Sequence, residues 1–194
     1  MTWIFGYGSL MWHPGFTYDL CETAQMQAYH RWFCMVSTKG RGTPEVPGMM
    51  LGLVPGGSCI GKAYRITPGK EHEALAYLDE REGENRGNRR VMVPVRILAR
   101  PESVFESAWT YLPMVSNPNY VGVMDDVAQM VDLILAGVGK RGSCHDYLRN
   151  LMDEMDGLGV EEPRLAALLE HVNQALAAQN TTKDASATTR QGSE

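Results

Sequence analysis

Cysteine is scarce in this 194-residue chain. Cys21, Cys34, Cys59 and Cys144 stand alone, with no C-x-x-C pair and no histidine pair at metal-finger spacing. That excludes a zinc finger or a dithiol motif and leaves four reduced thiols packed as small apolar residues. The five histidines are scattered, and H-E-x-x-H is absent; Glu71-His72-Glu73 reads as a solvated helix face, so no metal is expected. No basic stripe runs along the chain. Arg86, Arg89 and Arg90 are only a short cluster and the net charge is −5, so no nucleic-acid partner is expected. No apolar run approaches a membrane span, and the first residues lack the charged and apolar regions of a signal peptide. Repeats are absent too, and no feature marks an oligomeric state. What remains is a soluble, cytoplasmic protein of ordinary globular composition, 44% hydrophobic and 21% charged.

The chain is long enough for one sizeable domain, expected over residues 1–178. β-Branched and aromatic residues predict strands at Thr2–Gly6 and Ala28–Ser37, followed by a Gly- and Pro-rich loop over 38–48. Met49–Val54 and Ser58–Ile66 read as two strands joined by a turn at Pro55-Gly56-Gly57. Arg89–Leu98 and Val104–Leu112 read as a further pair. Short connections favour antiparallel neighbours. Thr67-Pro68 has the form of a helix cap and first turn, opening a helix that runs to about Glu82. Asp125–Ala136, Cys144–Met155 and a segment from Pro163 predict three more helices. In the last, Leu165, Leu168, Leu169, Val172 and Leu176 form a core stripe. From about Gln179 the composition turns to Thr, Ser, Ala and Gly, and residues 179–194 are expected to be disordered. Strands early and helices late make the fold class α+β.

Two features stand out chemically. FGYGSLMW, residues 5–12, sets Gly6 and Gly8 at the end of the first strand, where glycine weakens pairing. Such glycines permit positive φ and remove Cβ atoms, so main-chain N–H groups can turn toward an anion, with Ser9 adding a hydroxyl. A simple bulge explains them equally well. The stretch is not G-x-G-x-x-G, because position 11 is Met, nor G-x-S-x-G, because position 7 is Tyr. The second feature is KEHEALAYLDEREG, residues 70–83. On a helix Leu75, Leu78 and Glu82 share a face, with Glu71 at its outer end, while Glu73 and Glu80 point to water. A carboxylate thus follows the apolar stripe inward. An ion pair with a buried arginine accounts for Glu82 by periodicity alone; an acid/base role needs a substrate site beside it.

Taken in order, FGYGSLMW, STKGRGTPEVPG, AYLDEREG, NPNYVG (117–122) and GKRGSCHDYL (139–148) resemble the ChaC-type γ-glutamylcyclotransferases. The likeness runs from Thr2 to about Leu176. It implies a small mixed β-barrel with flanking helices and an enzyme that acts on glutathione, releasing 5-oxoproline and cysteinylglycine without cofactor or metal. It places the catalytic glutamate at Glu82 and substrate-binding residues at Ile4, Phe5, Gly6, Tyr7, Gly8 and Ser9. Ser37, Arg41, Gly42 and Tyr120 are implied to border the pocket. The chain departs from the family pattern at Gly83-Glu84-Asn85-Arg86, where many relatives have a glycine pair and Tyr-Arg, and at Met49, where many have a basic residue. Both departures bear on how the glycine end of the tripeptide is held.

The implied reaction needs little machinery. The substrate's α-amine attacks its own γ-carbonyl, so most of the entropic barrier is removed once the substrate is held curled. The ammonium, with a pKa of about 8 as a free terminus, must first lose a proton. Glu82 is the natural base and then the acid for the leaving nitrogen, provided burial lifts its pKa. N–H groups of the Tyr7-Gly8-Ser9 turn then grip either the α-carboxylate or the oxyanion. Ser9 has no partnered base and is not expected to be a nucleophile. Other γ-glutamyl amino acids or γ-glutamylamines are the alternative substrates; a non-catalytic γ-glutamyl-binding module is the alternative from another class.

Overall fold

The computed structural model describes residues 1–83, 86–101, 104–124 and 126–191, with side chains described through Thr182. Its centre is a closed barrel of five strands in the order β1-β3-β2-β4-β5: β1 Trp3–Gly6, β2 Tyr18–Ser37, β3 Gly48–Ile66, β4 Asn88–Ile97 and β5 Phe105–Pro113. Neighbours are antiparallel except where β1 closes the barrel parallel to β5, at Trp3–Ala108 and Ile4–Trp109. All five strands send alternate side chains inward, among them Trp3, Phe5, Met26, Leu53, Val95, Ile97 and Ala108. Four helices flank the barrel: α1 Glu71–Glu82, α2 Val127–Ala136, α3 Cys144–Gly157 and α4 Pro163–Gln191. The two-residue strands β6 Val138–Gly139 and β7 Gly142–Ser143 form a small ribbon before α3.

The strands β2 and β3 differ from the sequence expectation. Each is one long strand, and they pair along almost their whole length, from Tyr18–Ile66 to Ser37–Gly48. Pro55-Gly56-Gly57 is not a reversing turn. Gly56 and Gly57 take φ of 100° and 71° opposite Ala28, itself at φ 69°, and the register shifts there. Both strands bend together at a bulge, so the ladder curves round the barrel without breaking. The start of α1 also differs. Thr67-Pro68-Gly69-Lys70 is a turn closed by Lys70 N–H to the Thr67 carbonyl at 3.0 Å, with Gly69 at φ 83°, and the helix begins one residue later. Asp125, expected to open α2, lies outside the described residues; Asp126 caps that helix, its carboxylate accepting from the Gln129 N–H at 3.0 Å. The helix α4 is carried through Gln191, whereas composition predicts loss of order from about Gln179.

Two further clusters fix the helices. Met130 and Ile134 of α2, Leu148, Leu151 and Met155 of α3 and Leu165, Leu168 and Val172 of α4 pack on Phe33, Met35, Met49 and Leu51 at one end of the β2–β3 hairpin. On another side, Ala74 and Leu78 of α1 pack on Ile4, Ile66 and Tyr111. The C-terminal end of α1 and the N-terminal end of α3 therefore both stand at the mouth of the barrel beside the end of β1.

Candidate active site

The ladder of β1 ends at Gly6, paired with Lys62, so the chain from Tyr7 to Ser9 leaves the sheet. Arg31, almost fully buried on β2, holds the Tyr7 carbonyl at 2.8 Å through Nη1, and its Nε lies 2.9 Å from Glu162. The Tyr7 hydroxyl donates to the Tyr111 carbonyl at 2.9 Å. Neither Gly6 nor Gly8 has a positive φ, contrary to the sequence expectation. Their lack of a Cβ matters through close approach. A Cβ on Gly6 would lie 2.9 Å from that of Leu10, and one on Gly8 would lie 2.7 Å from the Tyr147 hydroxyl.

That strand end forms one wall of a cavity of about 140 Å³. Glu82 stands on another wall, its side chain retaining 19% of its exposure. The buried stripe of α1 is Ala74, Leu78 and Arg81, with Leu75 and Glu82 half-buried on its border. Glu73 and Glu80 face water as expected, Glu73 pairing with Lys70. The end of the helix is pinned by Asn88, whose Nδ2 donates to the Glu82 carbonyl at 2.7 Å. Burial pushes the Glu82 carboxyl above the usual carboxylate range, opposed by Arg81, Arg141 and Arg86.

Arg81 is the junction of the site. Its Nε donates to Glu82 Oε1 at 2.8 Å and its Nη2 to Ser9 Oγ at 3.0 Å. Nη1 donates to the carbonyls of His13 and Pro14, at 2.6 and 3.2 Å, and to the Tyr77 hydroxyl at 3.0 Å. One guanidinium thus ties the carboxylate to the strand-end turn. The sequence alternatives for Glu82 meet here: it pairs with a buried arginine and also faces a substrate-sized cleft. Ser9, engaged by Arg81, has no base beside it among the described residues.

Of the residues singled out by sequence, Phe5, Tyr7, Gly8, Ser9, Ser37, Arg41 and Glu82 line this cavity. Ser37 Oγ accepts from the Arg41 N–H at 2.9 Å, and Arg41 Nη1 donates to the carbonyls of Arg141 and Ser143, fastening loop 38–47 to the β6–β7 ribbon. Gly42 belongs to the same loop but not to the wall; a Cβ there would run into the main chain at Gly48 and Ser37. Ile4, Gly6 and Tyr120 do not reach the wall. Ile4 points the other way, into the cluster under α1, and Tyr120 packs against the core beside Met35. From the NPNY segment it is Asn117 and Asn119 that face the cavity. Met49, one of the two departures that bear on how the glycine end of the tripeptide is held, is fully buried in the core under the helices. Glu84 and Asn85 lie outside the described residues, while Arg86 lines the cavity. Sequence reasoning missed Arg81, Arg141 and Tyr147. Arg81 had a local signal, three and seven residues after Leu78 and Ala74; the other two come from distant segments.

Among the described residues, the wall carries Lys39, Arg41, Arg81, Arg86 and Arg141 against the single carboxylate of Glu82. Such a cleft suits a small ligand bearing more than one negative group. The chain belongs to the ChaC-like protein family, whose family model matches residues 2–175. It is 34% identical over 178 residues to a glutathione-specific γ-glutamylcyclotransferase of Escherichia coli (strain K12), an alignment covering 91% of this chain and 74% of that one. With glutathione-specific γ-glutamylcyclotransferase 1 of Homo sapiens it shares 32% identity, over 90% of this chain and 79% of that one. The fold is similar to the crystal structure of a γ-glutamyl cyclotransferase specific to glutathione from yeast, with a TM-score of 0.78 at 25% identity, covering 90% of this chain and 98% of that one.

Proposed function

We propose that this protein is a γ-glutamylcyclotransferase that degrades glutathione to 5-oxoproline and cysteinylglycine, a lyase acting on a C–N bond. The observation that carries the reading is a half-buried carboxylate, Glu82, sharing one cation-rich cavity with the Tyr7-Gly8-Ser9 strand end, in a chain of the ChaC-like family. Glutathione has two carboxylates and one ammonium. The five cationic side chains of the wall favour the carboxylates, and Glu82 is the one acidic group among the described wall residues for the ammonium. That balance favours glutathione over γ-glutamylamines, which lack the second carboxylate.

Glu82 takes a proton from the α-ammonium. The freed amine adds to the γ-carbonyl carbon, forming the ring C–N bond as the carbonyl electrons move onto oxygen. Collapse restores the carbonyl and breaks the original amide bond; the ring nitrogen sheds its second proton as it becomes the lactam N–H, and both protons pass by way of Glu82 to the leaving nitrogen, which departs as the ammonium of cysteinylglycine. A carboxyl raised by burial is better matched to both transfers than an ordinary one. The four cysteines are unpaired, and we place the enzyme in the cytoplasm, where thiols and glutathione stay reduced.

The test is Glu82→Gln, assayed by 5-oxoproline release from glutathione, γ-glutamyl amino acids and γ-glutamylamines. The variant is expected to lose about 10²-fold or more in kcat. It should fold at least as stably as wild type at neutral pH. A carboxyl whose folded pKa is raised holds its proton more tightly in the folded state, so its ionisation weakens the fold as pH rises; Gln removes that cost. Turnover close to wild type would remove Glu82 from this role. Ligand-induced stabilisation by glutathione without product would favour the binding-module reading.

A further inference from the structure

Tyr147, on the first turn of α3, is 5% exposed and lines the cavity. Its ring is held firmly. Trp12 and Phe33 lie with centroids 5.6 and 6.3 Å away, and the Arg41 guanidinium sits 4.8 Å from the ring centre. Its hydroxyl makes no hydrogen bond to any described residue. Three tyrosines near it behave differently: Tyr7 donates to the Tyr111 carbonyl, Tyr64 to the carbonyls of Leu10 and Met11, and Tyr111 to Asp79. The hydroxyl opens onto the cavity with its donor unspent on the protein, whereas phenylalanine would fill the same packing space. Room is nevertheless kept for the oxygen, because Gly8 is bare where a Cβ would lie 2.7 Å from it.

We propose that the Tyr147 hydroxyl is a catalytic hydrogen-bond donor to the substrate's γ-carbonyl oxygen as that oxygen becomes an oxyanion. The inference rests on the cyclotransferase reading and assigns a group to the charge that Glu82 cannot stabilise. In the addition step the carbonyl electron pair moves to oxygen, and a neutral phenol stabilises it without giving up its proton. Burial and the facing Glu82 carboxylate hold the Tyr147 phenol well above its usual pKa, so it remains a donor where Glu82 is ionised; the Arg41 and Arg31 cations pull the other way. Tyr7 lies in the same cavity, but its hydroxyl is engaged by Tyr111. Tyr147 approaches from α3, a different wall from α1, as an oxygen projecting away from both reacting nitrogens requires.

Tyr147→Phe keeps the ring and its neighbours and removes only the oxygen. Steady-state 5-oxoproline release from glutathione and the thermal midpoint are measured together. The expected result is a 10²- to 10³-fold fall in kcat, the scale of losing one oxyanion donor, with KM within about twofold and Tm not lowered. A kcat within about threefold of wild type overturns the proposal. So does a rise in KM alone, which assigns the hydroxyl to ground-state binding, or a Tm loss large enough to account for the lost activity. A wild-type protein that releases no 5-oxoproline instead defeats the cyclotransferase reading, before the variant is considered.

Discussion

At the scale of single residues the site turns on opposed influences on one carboxylate. Burial raises the Glu82 pKa, and the Arg81 guanidinium, 2.8 Å away, is the strongest of the forces lowering it, ahead of Arg141 and Arg86. Tyr7, just past the end of β1, and Tyr147 on α3 also face this charge; burial first and the Glu82 carboxylate second raise both phenols. Activity that requires ionised Glu82 falls as pH drops through its folded pKa. Replacing Arg81 by Gln removes the largest lowering influence, so the acid limb of kcat/KM is expected to move to higher pH. A pH–rate profile of both proteins checks this, and an unmoved limb would mean the ion pair does not tune the base. Glu82 itself was legible because its helix periodicity is local. The partner Arg81 sits next to it in sequence and was missed, because the face through Leu75, Leu78 and Glu82 is displaced from the buried stripe of Ala74, Leu78 and Arg81.

At the scale of elements, the β2–β3 hairpin supplies part of the cavity wall through Val36, Ser37, Met50 and Leu51. Gly56 sits at φ 100° with nothing within 4 Å of where a Cβ would be. Gly56→Ala therefore tests backbone conformation alone. A loss of about 1–2 kcal/mol in unfolding free energy is expected, with kcat unchanged because the bulge is not part of the cavity wall. Chemical denaturation measures it; an undiminished stability would show that the bend relaxes without cost. Sequence placed a break at Pro55-Gly56-Gly57 because Pro and Gly interrupt strands wherever they occur. What it could not weigh was the partner strand, whose own irregularity at Ala28 lets the pair bend as a unit.

At the scale of the molecule, charge is segregated. The chain carries −5 overall, yet among the described residues its cavity wall bears five cationic side chains and one carboxylate. If those cations gather an anionic tripeptide, salt should weaken the encounter more than the chemistry. Raising ionic strength from about 0.05 M to about 0.5 M shortens the screening length severalfold. The expected outcome is a severalfold rise in KM for glutathione with kcat within about twofold. A flat KM would indicate that the basic side chains serve packing alone.

The sequence by itself determined the α+β class, the four helices, the helical glutamate and the glycine-marked strand end, since each depends on neighbours within a turn or two of the chain. Tertiary structure decided which residues surround that glutamate. Arg41 arrives from an earlier loop and Asn117, Arg141 and Tyr147 from three later segments, and only the tertiary fold brings them opposite Glu82. Ile4 turns instead into the cluster under α1, and half-buried Tyr120 lies against the core beside Met35. Periodicity reports which way a side chain faces along its own element; it carries no information about which distant side chain faces it in return.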